Sequence, residues 1–247
     1  MGALGAWADP SKLPSNSRQA RILFDEARAT YAAHLGIRSE YLNFIGEPSF
    51  GYFLGLEGLL NPDRKLIHSR IDRQEVYAIA ARHNSQRLEV DSQGFISKYE
   101  SEKDQVIAWQ LRNGETGIAQ PELEDSNSLI FVDATTSGAR LPLPKNWAAA
   151  IYDARAWDGP GGLGILAIAD EKNWKNPIPR MDTQKVPGGT SLPLIIAGAI
   201  ALEQWVEGER AMKAQMLSLA GEIRRYIAEE IGDVNVLHGP HDLISVS

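Results

Sequence analysis

Hydrophobic and polar positions along this chain repeat with two periods, and the switches between them lay out its elements. Ser15 or Ser17 can cap a helix in which Ala20, Leu23, Phe24, Ala27, Tyr31 and Leu35 share one face, with Gly36 as its stop. Tyr41-Leu42-Asn43-Phe44-Ile45 is a short apolar run of strand character. Gly46-Glu47-Pro48-Ser49 breaks it and opens a second helix, Phe50 to about Leu60. Leu66-Ile67-His68 predicts a strand, Asp72 a cap for a helix through about Asn84, and Arg87-Leu88-Glu89-Val90 another strand. Val106 to Leu111 and Leu129 to Val132 continue the series. The stretch from Leu129 to Ala169 is the centre of the chain: three buried strands separated by polar and glycine-rich turns.

Beyond it, Glu171 to Gly189 is a loop rich in Pro, Lys and Asp. Pro187-Gly188-Gly189-Thr190-Ser191 caps an apolar helix from Leu192 to about Trp205, Gly208 interrupts, and Glu209 to about Ile231 is amphipathic. Val234 to Ser247 has the pattern strand, turn (His238-Gly239-Pro240), strand, and stops within it, which predicts a missing C-terminal portion. The expected division is an irregular arm over 1–14, a large domain over 15–205 and the start of a small domain over 206–247.

Strands alternating with helices at this spacing imply an α/β fold: a three-layer sandwich whose mixed, mostly parallel sheet carries helices on both faces. Ligands of such sheets lie at the carboxyl ends of the strands. The turns at Gly46–Ser49, Asn113–Gly117 and Asp133–Ser137 all follow strands, so they converge on one crevice. Strand, glycine turn and helix start can hold an anion on free backbone N–H groups, although an ordinary turn has the same pattern.

Composition narrows the chemistry. The 247 residues carry a net charge of −7, from 32 acidic and 25 basic side chains, which argues against a general nucleic-acid binder. With no cysteine there is no disulfide, thiolate ligand or cysteine nucleophile in these residues. The five histidines show no metal-ligand spacing. No apolar run reaches the ~18 residues of a membrane span, and Met1 to Pro14 lacks the pattern of a secretion signal. A cytoplasmic protein is the default expectation.

Gly159-Pro160-Gly161-Gly162-Leu163-Gly164 matches the dinucleotide fingerprint in letters only. That motif needs a helix directly after it. Here Gly164-Ile165-Leu166-Ala167-Ile168-Ala169 is apolar and β-like, so the glycines predict a tight strand-to-strand connection.

The succession of strand-end motifs resembles the class V aminotransferase and cysteine desulfurase family, pyridoxal-phosphate (PLP) proteins of fold type I. Val132-Asp133-Ala134-Thr135-Thr136-Ser137 is similar to its V-D-A-[TS]-Q-S, and Arg112 to Gln120 to its N-N-E-x-G-x-x-Q segment. Gly159-Pro160 with Gly162-Leu163-Gly164 is similar to its G-P-x-G-[IVL]-G, and Gly189-Thr190 with Leu192-Pro193 to its G-T-x-x-x-P region. The resemblance implies a PLP-transferase large domain with a partial α+β small domain, and a homo- or heterodimer. It also implies a small amino-acid-like ligand. Asp133 would sit beside the cofactor's ring nitrogen and keep it protonated. Gly46 and Ser49 would belong to the phosphate turn, Thr136 would face the phenolic oxygen, Arg73 would take the place of the stacking histidine, and Thr190 would reach a neighbouring subunit's phosphate. A partner would sit at the Leu192–Trp205 helix and the loop before it.

The chain departs from the family at the centre of the chemistry. The family's cofactor lysine stands three residues before the glycine of G-P, and here that position is Ala156, preceded by Arg155. No lysine lies between Lys145 and Lys172. Gly114 replaces an Asn, Thr136 a Gln, and Glu47 puts an anion in the phosphate turn. The resemblance therefore implies a PLP-type site with little or no standard PLP catalysis, any PLP being held non-covalently. The alternative is a non-enzymatic homologue acting as binding or dimerisation partner of an active relative.

Overall fold

The computed structural model describes residues 15–123, 127–178, 185–186 and 191–231. Helix α1 (Ser15–Leu35) ends at Gly36, whose φ of +68° is the left-handed conformation that glycine tolerates. Ile37 N–H then bonds back to Ala32 O at 3.1 Å, closing the helix as the apolar periodicity predicts.

The order continues with β1 (Leu42–Ile45), α2 (Pro48–Leu59), β2 (Lys65–Ser69), α3 (Gln74–Ala80), β3 (Ser85–Leu88) and β4 (Gln105–Gln110). After these come β5 (Leu129–Asp133), β6 (Trp147–Asp153), β7 (Gly164–Ile168) and α4 (Leu192–Glu230). The strands form one seven-stranded sheet in the order β1-β7-β6-β5-β4-β2-β3. β2 to β6 pair in parallel, and β7 runs antiparallel to both of its neighbours, β1 and β6. Two reversals restore direction, so β1 points its carboxyl end to the same edge of the sheet as β5 and β6.

Every residue of β4 and β7 is buried, as expected of strands covered on both faces. Alternate side chains feed two cores. Ile107, Trp109, Val132, Tyr152 and Ile165 join Tyr31 of α1 and Ile195 and Leu202 of α4 on one face. Val106, Ala108, Phe131, Ile151 and Leu166 join Tyr52, Leu54 and Leu59 of α2 and Val76 and Ile79 of α3 on the other. The fold is thus the expected α/β three-layer sandwich around a mixed, mostly parallel sheet.

β6 reaches β7 through a 3-10 turn (Ala154–Trp157) and the glycines, and a strand, not a helix, follows Gly164. Gly159 N–H bonds Ala154 O at 2.9 Å. A Cβ there would stand 2.7 Å from that oxygen, so the glycine serves a close backbone approach and not a nucleotide.

Four local expectations are corrected. Asp72 does not cap α3: Arg73 is the N-cap, and the Asp72 carboxylate turns back to accept Ser69 N–H at 2.6 Å. α3 ends at Ala80, short of Asn84, because Asn84 O already accepts Leu66 N–H at the start of the β2–β3 ladder. That pairing also places β3 at Ser85–Leu88, leaving Val90 in a single bridge with Ile96. Finally, Gly208 does not interrupt the last helix, since α4 is one helix of 39 residues. A glycine within a helix costs only about 1 kcal/mol. α4 runs unbroken across the boundary expected at 205/206. The 1–14 arm and the Val234–Ser247 strands lie outside the described residues.

Candidate functional site

β5 ends on Asp133, between Gln110 of β4 and Ile151 of β6 in the register. Its carboxylate is 5% exposed as a residue and held from two sides. Oδ1 accepts Thr135 N–H at 2.9 Å and Thr135 Oγ1–H at 2.6 Å. Oδ2 faces the crevice, where Arg73 Nε stands at 3.6 Å. Tyr52 Oη lies 3.2 Å from Thr135 Oγ1. Because the threonine proton goes to Asp133, Tyr52 donates to Thr135. Burial first, then the Asp133 charge, pushes the Tyr52 phenol well above its ordinary range, which keeps that donor protonated.

The turn after β4 is built by Asn113. Its Nδ2 donates to Gln110 Oε1 (3.0 Å) and Ile71 O (3.1 Å), and its Oδ1 accepts Glu115 N–H and Thr116 N–H. Arg73, at the N-cap of α3, closes the mouth. Its Nη2 donates to Thr136 Oγ1 at 3.3 Å, so one guanidinium bridges Asp133 and Thr136. Burial works against the charged Arg73, but the carboxylates of Asp133, Glu75 and Asp153 help hold the cation. At the start of α2, Ser49 Oγ donates to Glu75 Oε1 at 2.9 Å. Asp153, ending β6, grips Arg155 through its Nε and Nη2.

Arg73 therefore touches both Asp133 and Thr136, while Ser49 bonds Glu75, whose charge acts on Arg73 without a direct bond to the group. Gly46 is exposed at the start of α2, and a Cβ there would meet nothing within 4 Å. Thr190 lies outside the described residues. Ala156 sits on the 3-10 turn beside Gly138, whose added Cβ would stand 3.1 Å from the Ala156 methyl. Trp157 points away from the crevice into the core, where its Nε1 donates to Gly198 O at 3.2 Å. Sequence reasoning missed Tyr52, Thr135 and Glu75 as members of the site. Their only signal is position: a hydroxyl two residues after a strand-end aspartate, and a carboxylate two residues into the helix that follows β2. Among the described residues there is no group of three His, Cys, Asp or Glu side chains placed to hold a metal, and no helix long and apolar enough to cross a membrane.

Asp72, the neighbour of Arg73, is the group whose titration the fold shifts most usefully. Burial, with the Asp133 charge adding to it, lifts its carboxyl to about 7 against the bonds from Ser69. The folded state therefore holds this proton more tightly than the unfolded chain. The resulting stabilisation is complete below the ordinary carboxylate value and is lost as pH rises to about 7. Asp72→Asn keeps an acceptor for Ser69 N–H and removes the titration. Thermal melts at pH 5 and pH 8 should show the variant gaining on the wild type at the higher pH. An unchanged difference between the two pH values would refute the shift.

A mixed seven-stranded sheet in this order between two layers of helices is the fold of the PLP-dependent transferases. Solved structures that share it include an NifS-like protein, at 20% identity and a TM-score of 0.78, over 92% of this chain and 70% of that one. A cysteine desulfurase from Thermococcus onnurineus NA1 matches at 16% identity and 0.79, over 97% and 70%. An NifS-like protein from Rickettsia africae ESF-5 matches at 17% and 0.76, over 93% and 69%. No family model matches the sequence, and no curated protein does. At these identities the likeness is one of fold.

Proposed function

We propose that this chain is a cysteine-desulfurase-fold protein whose crevice no longer supports lysine-dependent PLP catalysis. The observation that carries the reading is Ala156. It stands on the turn between β6 and the glycines, where the family resemblance requires the lysine, and a methyl group can neither bind a carbonyl carbon covalently nor move a proton.

The residues present do not fit PLP. Asp133 would suit a protonated ring nitrogen, but Arg73 already supplies the cation on its crevice side. At the phosphate end, Ser49 spends its hydroxyl on Glu75, and Glu47 is the N-cap of α2. Glu47 at the start of α2, with the Glu75 carboxylate of α3 beside Ser49, opposes a phosphate dianion. The Arg73 bridge across Asp133 and Thr136 occupies in polar terms what a ring would engage. Purified protein in excess PLP should show the spectrum of free aldehyde only and release no sulfide from cysteine. Sustained sulfide release by the clean protein would overturn the proposal.

A second reading, a non-enzymatic subunit that pairs with itself or with an active relative, is favoured by one observation. Beyond Gly208, α4 exposes Met212, Leu217, Leu219, Ile223 and Tyr226. Light scattering on the purified chain tests self-pairing, and a monomer at every concentration would leave only a heterologous partner. One solved structure of this fold, SspA, is a complex with cysteine (22% identity, TM-score 0.72), and a small amino-acid-like ligand belongs to the first reading.

A further inference from the structure

One apolar repeat runs along the whole of α4. Ile195, Gly198, Leu202 and Trp205 follow one another at alternating steps of three and four residues, and with them the inner half sits on the body, Gly198 against Tyr31 of α1. Glu209 interrupts the run once, where Arg140 holds it at 3.2 Å. Met212, Met216, Leu219, Ile223 and Tyr226 then continue it in the same phase. This spacing is the heptad repeat, which marks a helix packed lengthwise on another helix. A straight α-helix turns such a seam by about 20° per heptad, so roughly 80° separates Ile223 from Ile195, four heptads earlier. The seam thus turns away from the body along its course. Leu202 is fully buried, whereas Met212, Leu219, Ile223 and Tyr226 are 48–64% exposed.

The two edges of the exposed stretch differ. Lys213, Ala220 and Ile227 lie along one, and Ala220 is buried. Gln215, Glu222 and Glu229 lie along the other, all exposed. Ser218 Oγ donates to Glu222 Oε1 at 3.4 Å, a neutral partner that leaves the charge in place. A second copy fits these edges badly. An antiparallel copy brings the two acidic edges together, and like charges oppose the pairing. A parallel copy sets the acidic edge against the edge of Ala220, which is already covered. A helix with basic residues on its facing edge avoids both faults. At the body end the seam opens on a cleft of about 640 Å³, where Ala156, Trp205, Met212 and Met216 offer a place for a large apolar side chain of such a helix. Arg140 is committed there to Glu209 and Trp205, so that anchor is apolar.

We infer that the outer half of α4, from Met212 to Tyr226, is a docking surface for an amphipathic helix of another protein, one with an apolar heptad stripe and a basic edge set against Glu222 and Glu229. The inference rests on the second reading above, that the chain is a binding subunit, and narrows it to a heterologous partner.

The probe is a synthetic helix of three heptads, with leucine at its a and d positions and lysine at its e and g positions. Two controls share its length: one has glutamate for every lysine, and the other has the lysine peptide's composition in scrambled order. The chain has four methionines, so protein labelled at the methionine methyls gives a spectrum in which Met212 and Met216 are assigned by single Met→Leu variants. The lysine peptide should shift both methyls in a saturable way, and each control should bind about tenfold more weakly or worse. Leu219→Gln and Ile223→Gln should each weaken the lysine peptide about tenfold, the scale of a truncated anchor. Both residues are half-exposed, so these variants keep the fold. The double variant Glu222→Gln, Glu229→Gln should narrow the gap between the lysine and glutamate peptides. Equal binding of the lysine peptide and either control, or binding that Ile223→Gln leaves unchanged, overturns the inference. A dimer that Ile223→Gln dissolves also overturns it, because the seam would then hold a second copy. Light scattering reports the second reading as a whole and the peptide contrast reports this edge, so the two fail separately.

Discussion

Trp157→Ala lowers the free energy of unfolding by about 3–5 kcal/mol, the range for deleting a large buried aromatic and leaving a cavity. The expected value is at the upper end because three things are lost together. Trp157 is wholly buried. Its ring lies 6.2 Å from that of Tyr31, and its Nε1–H is matched to Gly198 O. Its neighbours belong to three different elements, the 3-10 turn, α1 and α4, so the site cannot collapse by a single rotamer change. Urea denaturation followed by tryptophan-independent circular dichroism measures the effect as a fall in midpoint with unchanged slope. A loss below about 1 kcal/mol, the scale of a surface substitution, would show that the ring is not wedged between those elements.

The second large effect separates two glycines of the same helix. By propensity alone, Gly→Ala inside a helix gains about 1 kcal/mol. At Gly208 a Cβ would meet nothing within 4 Å, so Gly208→Ala is expected to realise that gain. At Gly198 the added Cβ would stand 2.3 Å from Tyr31 Oη and 2.7 Å from Leu163 Cδ2. Tyr31 cannot yield, because it is fully buried and its hydroxyl is bonded to Ile195 O at 2.9 Å. α1 and α4 must then move apart, and overpacking of that kind costs about 1–3 kcal/mol, which outweighs the propensity gain. Gly198→Ala should therefore destabilise while Gly208→Ala stabilises, in parallel thermal melts. Shifts of the same sign would mean that helix propensity and not close packing governs both positions.

Much of the scaffold was legible because its pattern is local. The runs of β4 to β7 are apolar except for Gln105, Gln110, Asp133 and Asp153 at strand ends, as expected of buried strands, and α1 shows its buried stripe from Ala20 to Tyr31. Errors arose where one side chain had two local options. Asp72 can cap a helix or bond back to Ser69, and only the position of β2 decides. Gly208 can end a helix or be carried through one, and the packing of Leu202 and Trp205 on the body decides. The Asp133–Arg73–Thr136 contact was reachable through the family resemblance, since each lies at a strand or helix end. Tyr52 was not, because it sits in an apolar helix and reveals its polar use only when Thr135 arrives 83 positions later. The Arg140–Glu209 pair, 69 positions apart, leaves no trace in the sequence at all.

The unbroken course of α4 has a mechanical consequence. Its first half is seated on the body by Ile195, Ala199 and Leu202, the Arg140–Glu209–Trp205 clamp holds its middle, and Ala220 is buried again farther out. Beyond the clamp the helix continues as a stiff rod, with Tyr226 about 26 Å farther along at 1.5 Å per residue. The clamp is thus a fulcrum and the outer half a lever arm. A tilt of about 5° there swings Tyr226 by about 2 Å at that radius. The same tilt moves Met212 and Met216, close to the pivot, by far less. Whatever grips the exposed end of α4 therefore acts on the Arg140–Glu209–Trp205 clamp with mechanical advantage.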